Sequence, residues 1–232
     1  MNDFAAYVFY VNRPDLLRRS IDCFSDLWDA LTVVDNSGGD GTDCYCPSTV
    51  ERYVPPVPLS YSQSMNWMLA DATEKKVDFI VHFHSDAYST NPIAIQELLA
   101  YARQLKASEM DRWACLWTLY DVAWIVNPVA ALDVGGWDTT FPDYYTDQVF
   151  KQRCKRRGWE LIDTHIQGIG HDKGDGVGNG QQGSATINAD PKLMFLHQMT
   201  FPFYSMLYQA MYGGPPGKEQ GLVPFARPDL FP

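Results

Sequence analysis

The sequence is short of positive charge, of paired cysteines and of long apolar runs, and each shortage removes a class of protein. Its 18 basic residues face 28 acidic ones, a formal net charge of −10 over 232 residues. A sequence-indifferent grip on nucleic acid or anionic lipid needs a basic surface, so neither is expected as a main activity. The five cysteines (Cys23, Cys44, Cys46, Cys115 and Cys154) form neither a disulfide framework nor the CxxC…CxxC spacing of a zinc site. No stretch of about 20 uninterrupted apolar residues occurs, so no membrane span is expected. Met1-Asn2-Asp3 opens the chain without the basic and then apolar pattern of a secretion signal, and the expectation is a cytoplasmic protein. With 46% hydrophobic residues, the chain has the means for one α/β domain with a sizeable core.

Apolar runs and helical periodicities then alternate. Ala5–Val11 is aromatic and β-branched, which predicts a buried strand. After Pro14, Leu17, Ile21, Phe24 and Trp28 recur at helical spacing. Leu31–Val34 predicts a second strand, which runs into the turn cluster Asp35-Asn36-Ser37-Gly38-Gly39. The segment 42–58, rich in proline, predicts an irregular connection. Met65, Met68, Leu69 and Ala72 mark an amphipathic helix, with Ser60, Ser62 or Ser64 available to cap it. Asp78–Phe83 predicts a third strand, ending in His84-Ser85-Asp86, and a helix with an apolar face at Ile95, Leu98, Leu99, Ala102 and Leu105 follows. Strand–helix alternation of this kind predicts a mostly parallel sheet. Farther on, Trp113–Leu119, Val122–Val126 and Trp159–Asp163 read as strands and Asp147–Arg157 as a short helix. Residues 168–183 include seven glycines, which predicts a loop without regular structure. Phe195–Tyr212, broken by Pro202, predicts a bent helix lying on the domain.

Four clusters carry chemistry. Residues two apart in a strand project to the same side, so His84 and Asp86 can share a divalent cation; the same triplet also suits a plain strand-end turn. Asp35-Asn36 sits where acidic residues contact a base or ribose in open sheets, and it is equally ordinary turn chemistry. Gly135-Gly136-Trp137-Asp138, followed by Tyr144-Tyr145-Thr146-Asp147, combines close backbone approach, a flat apolar ring and a carboxylate opening a helix. Asp147 there suits a general base, or simply an N-cap, and Trp137 suits a sugar platform or the core. Gly170-His171-Asp172-Lys173-Gly174 opens a glycine-rich loop of the sort that folds over a diphosphate, or a plain surface loop. His82 and His165 are assigned to structure, and the basic run Lys151, Arg153, Lys155, Arg156 and Arg157 to offsetting a helix dipole.

In order along the chain, YVFYVNRPDLLRRSI, LTVVDNSGGDG, LSYSQSMNWML, DFIVHFHSDA and VGGWDTTFPDYYTDQVFKQRCKRRGWEL resemble the GT-A glycosyltransferases, most closely the large family-2-like group, from Tyr7 to about Lys173. The resemblance implies one GT-A, Rossmann-like α/β domain over 1–232: a mostly parallel sheet flanked by helices, with a nucleotide-sugar-binding half (1–110), an acceptor and catalytic half (111–190) and a C-terminal helical extension (191–232). It implies a nucleotide-sugar donor, a UDP-sugar above all, and Mn²⁺ or Mg²⁺ at a DxD motif. Asp35 and Asn36, with Ser85 and Lys173, fall at donor positions; Asp86, His84 and His171 at metal positions. Asp147 falls on the catalytic base, with Asp138 beside it and Trp137 and Gly136 on the acceptor floor.

Two departures stand out. His84 replaces the first Asp of the DxD, and Thr146-Asp147 replaces an acidic pair. The implied reaction is transfer to an acceptor hydroxyl, with inversion if Asp147 is the base, although the same fold also hosts retention. The acceptor class is open: a glycan, a protein, a small molecule or, less in keeping with the acidity, a nucleic acid. A homodimer is compatible with the aromatic tail. The His-for-Asp exchange also admits a binding module without turnover, or a metallohydrolase. A sugar-nucleotide pyrophosphorylase is disfavoured, because Asn12-Arg13-Pro14-Asp15 after the first strand holds no glycine.

Overall fold

The computed structural model describes residues 3–39, 44–108, 112–119, 121–172 and 185–220. Strands β1 (Phe4–Tyr10) and β2 (Leu31–Asp35) flank helix α1 (Pro14–Cys23) and a short 3₁₀ turn. Next come β3 (Glu51–Tyr53), α2 (Tyr61–Lys75), β4 (Phe79–His84), β5 (Ala87–Ser89) and α3 (Ala94–Ala107). The second half holds β6 (Trp113–Trp117), β7 (Ala123–Val126), α4 (Pro128–Asp133), α5 (Thr146–Arg156), β8 (Glu160–Asp163), β9 (Ile169–His171), α6 (Ala185–Ala189) and α7 (Pro191–Tyr212).

Seven strands form one sheet in the order β3-β2-β1-β4-β7-β6-β8. All pairings are parallel except the two that β7 makes, with β4 and with β6. Helices cover both faces, so β1 is apolar on both. Its Ala6, Val8 and Tyr10 join a core with α1 and α3, whereas Ala5, Tyr7 and Phe9 join a second core with α2, α4 and α5. The mostly parallel α/β architecture expected from the sequence is the one observed.

Local chemistry explains the boundaries. Of the three serines, Ser60 caps α2: its hydroxyl accepts from the Gln63 N–H, while the Gln63 side chain accepts from the Ser60 N–H. Ser62 and Ser64 are buried inside the helix. Three elements differ from expectation. The connection 42–58 contains β3, which adds to the edge of β2. Residues Ile169–His171, expected in a loop, pair antiparallel with β5. The segment ahead of the Gly135-Gly136 turn is the helix α4, started by the Asn127 side chain and Pro128. Helix α7 runs through Pro202, with one face on Phe141, Tyr144 and Tyr145, and Phe195, Leu196, Met199, Phe203 and Met206 exposed on its outer side. Among the described residues no helix is long and apolar enough to cross a membrane.

The Gly135-Gly136 turn is pinned to α2. Asn66 accepts from the Trp137 N–H and donates to the Trp137 carbonyl, each at 2.8 Å. Gly136 has φ +70, and a Cβ there would stand 2.4 Å from Asn66 Oδ1. Gly136→Ala therefore faces both a left-handed backbone and a clash. We expect a loss of more than about 1 kcal/mol in urea denaturation, and an unchanged midpoint would refute this account of the turn.

Candidate active site

In an open parallel sheet, ligands gather at the carboxyl ends of the strands, and β4 ends there at His84. Its successors Ser85 and Asp86 are buried, at 9% and 2% exposure. The β5–β9 ribbon sets Ala87 opposite His171, and the Asp172 N–H donates to the Asp86 carbonyl at 2.9 Å. These backbone contacts deliver His171 to Asp86, with Nε2 3.0 Å from Oδ1. Gly170 is needed beside it because the Tyr88 ring lies where a Cβ would stand. Asp172 in turn forms a 2.7 Å ion pair with Arg19 on α1.

One ligand atom each from His84, Asp86 and His171 lie within 4.8 Å of one another. His84 Nδ1 is 4.0 Å from Asp86 Oδ1, and the other carboxylate oxygen of Asp86 is buried with no hydrogen-bond partner. A buried anionic oxygen left unpaired is costly, and two imidazoles with one carboxylate are a donor set for a divalent transition metal. The residues fit such an ion.

Next to this cluster is a residue the sequence analysis missed. Because β7 runs antiparallel, the β6–β7 turn lies at the same sheet edge as the end of β4. The His84 N–H donates to the Val122 carbonyl, which sets Asp121 beside the imidazole, with Asp121 Oδ2 3.8 Å from His84 Nε2. The Tyr61 hydroxyl, at the start of α2, lies 3.4 Å from both His84 Nε2 and Asp121 Oδ2. Burial and the charges of Asp121 and Asp147 push the Tyr61 phenol well above its usual range, so it stays protonated. Turn residues between two strands carry no periodic signal, so only the topology reveals Asp121.

Asp147 lies in the first turn of α5, which Tyr145 leads into with φ +67, an unusual backbone for a tyrosine. Tyr145 is held there by Phe201 and Tyr208 of α7. Burial first, and the charge of Asp121 second, push the Asp147 carboxyl up to about 6, against the lowering effect of Lys151. Lys151 Nζ is 3.5 Å from Asp147 Oδ2, and Gln148 donates to the same oxygen at 2.6 Å. Lys151 was assigned to the helix dipole. It is instead buried at 8% exposure, between Asp147 and the face of Trp117.

Other expected site residues have different duties. Trp137 is 2% exposed and stacks on Phe150 at 4.4 Å, so its ring is enclosed by core and offers no face to a sugar. Gly136 serves the approach to Asn66. Asp138 accepts from Arg153 at 2.6 Å and from the Thr140 N–H, joining the turn to α5 rather than standing open beside Asp147. Asp35 is buried against Arg52 at 2.5 Å; burial opposes ionisation, but the bonds from Ser37 and Arg52 outweigh it and hold the carboxyl low. Asn36 uses its amide on Ser64 and on the Leu59 N–H, as a strut between β2 and α2. His82 is buried and neutral, accepting from Trp124 Nε1 at 3.0 Å. Lys173, and the loop from there to Gly183, lie outside the described residues.

Solved structures share this architecture. A mannosyltransferase from Pyrobaculum calidifontis, determined with GDP-mannose and Mn²⁺, is similar at TM-score 0.54 and 16% identity, over 69% of this chain and 54% of that one. Glucosyl-3-phosphoglycerate synthase from Mycobacterium tuberculosis, determined with Mn²⁺, UDP and phosphoglyceric acid, is similar at TM-score 0.54 and 12% identity, over 73% and 70% of the two chains. The chain thus spans about half the length of the mannosyltransferase. No protein-family model and no curated protein matches it. The likeness shows the fold, which is GT-A.

The raised Asp147 carboxyl sets a stability test. The native state holds this proton more tightly than the unfolded chain, so stability falls as pH rises from about 4 to about 6 and stays lower above. Asp147→Asn, which keeps the uncharged shape, should exceed wild type by about 3 kcal/mol from about pH 7 upward and match it below about pH 4. A pH-independent difference in denaturant midpoint would refute the assignment.

Proposed function

We propose that the protein is a metal-dependent glycosyltransferase, moving a sugar from a nucleotide-diphosphate donor, a UDP-sugar in the first instance, to an acceptor hydroxyl with inversion. The observation that carries this reading is the juxtaposition at one edge of a GT-A sheet. The His84, Asp86 and His171 cluster is joined through Tyr61 to Asp121, whose charge reaches the half-buried carboxylate of Asp147 and helps to tune its proton affinity toward neutrality. GT-A neighbours with nucleotides and Mn²⁺ in their structures support the substrate class.

His84, Asp86 and His171 would hold the divalent cation. When bound, it would stabilise the negative charge that grows on the departing diphosphate. Asp147 does the proton chemistry: ionised above about pH 6, it accepts the acceptor hydroxyl's proton as that oxygen attacks the anomeric carbon. Lys151 and the Gln148 amide, both on Asp147 Oδ2, orient the carboxylate. The aromatic wall of Tyr144 and Tyr145 lies on the same loop, and α7 fixes it. Each side-chain polar atom of Asp35 and Asn36 already has one partner inside the fold, so a contact of either with the donor base would use its remaining hydrogen-bonding capacity.

The experiment is a panel of nucleotide sugars with Mn²⁺ or Mg²⁺, followed by calorimetry for binding and by product analysis for transfer. Asp86→Ala should abolish metal-dependent donor binding. Asp147→Asn should bind donor as wild type does and lose about 10²- to 10⁴-fold in kcat. Wild-type kcat should rise with pH through an apparent pKa near 6. Transfer by Asp147→Asn at the wild-type rate would remove the base assignment. Donor binding without any turnover would favour a binding module, and metal-dependent cleavage of substrates lacking a nucleotide would favour a hydrolase.

A further inference from the structure

The three atoms around His84 Nε2 specify more than proximity. A phenol has one proton to give, and that of Tyr61 points to the Asp121 carboxylate, which can only accept. The Tyr61 oxygen then faces His84 Nε2 with a lone pair at 3.4 Å, an arrangement that suits a hydrogen on that nitrogen. On the other side of the ring, Nδ1 is 4.0 Å from Asp86 Oδ1, too far for a hydrogen bond yet facing the cation cluster. The ring cannot turn over easily, since it is packed edge-on against Tyr61 at 5.9 Å and against His171 at 5.4 Å.

We infer that Tyr61 and Asp121 are positioning residues for the cation: through the relay Asp121–Tyr61–His84 they hold the imidazole as the Nε2–H tautomer and reserve the Nδ1 lone pair for the metal. This rests on the reading of His84, Asp86 and His171 as ligands, and it explains how a histidine can stand where a carboxylate is expected. A carboxylate has lone pairs on both oxygens, whereas an imidazole ligates through one nitrogen while the other carries hydrogen, and an acceptor for that hydrogen fixes the tautomer and the ring orientation. A histidine at position 84 is therefore served by an acceptor chain behind the ring, and the β6–β7 turn together with the start of α2 supplies one.

Two measurements on the full chain test this. In metal-free protein labelled with ¹⁵N-histidine, long-range ¹H–¹⁵N spectra above neutral pH should show His84, identified by its loss in His84→Gln, as the Nε2–H tautomer. Titration with Mn²⁺ alone, followed by electron paramagnetic resonance, should give binding weakened about tenfold or more in Asp121→Asn, and in the same direction in Tyr61→Phe. Asp86→Ala serves as the control for the site itself. Equal Mn²⁺ affinity in wild type and Asp121→Asn, with affinity lost in Asp86→Ala, would overturn the relay and leave the cation site standing. Unchanged affinity in Asp86→Ala would overturn the cation site. Should Asp121→Asn fail to fold, the wild-type spectrum decides, and an Nδ1–H tautomer refutes the inference.

Discussion

The buried carboxylate of Asp86 is the constraint from which the site follows. A carboxylate 2% exposed, with one oxygen lacking a hydrogen-bond partner, is costly to keep charged unless a cation or a donor is brought to it. Two imidazoles are arranged around it, and Asp172, paired with Arg19, donates its backbone N–H to the Asp86 carbonyl. The arrangement is achieved by backbone, not by side-chain adjustment. The β5–β9 register brings His171 in, and the end of β4 in the main sheet brings His84 in.

A second constraint is the single reversed strand. Were β7 parallel like its neighbours, the turn before it would lie at the opposite edge and Asp121 would face away from β4. Reversal carries a carboxylate to a place where the motif at 146–147 supplies only one. Asp121 and Asp147 are not bonded to each other, yet burial lets the charge of one raise the proton affinity of the other. The His84, Asp86 and His171 cluster and Asp147 thus belong to one electrostatic unit, linked by Tyr61.

Much of this was legible in the sequence. Uninterrupted apolar runs such as Phe4–Tyr10 announce strands buried on both faces, and the order of strands and helices announces the parallel sheet. His84, Asp86 and His171 were legible because alternation along a strand and a glycine-flanked histidine are local signals. Lys151 was misassigned because a lysine in a basic helix looks solvated until the Trp117 and Asp147 walls are in place. Asp121 carries no local signal. Trp137, Asp138, Asp35 and Asn36 went the other way: their residue types suit ligand binding, but tertiary contacts to Phe150, Arg153, Arg52 and Ser64 engage them inside the fold. Residue type is visible in a sequence, whereas the commitment of a polar atom to a distant partner is not.

The left-handed backbone of Tyr145 links helix α7 to Asp147. A tyrosine adopts φ +67 only under restraint, and the restraint is the ring packing from Phe201 and Tyr208, some sixty residues later in the chain. The α7 helix is therefore a splint, and its grip is transmitted one residue at a time into the first turn of α5. Lifting that splint would let Tyr145 relax to an ordinary backbone and rotate the α5 entry, so the sheet by itself does not define where the Asp147 oxygen points.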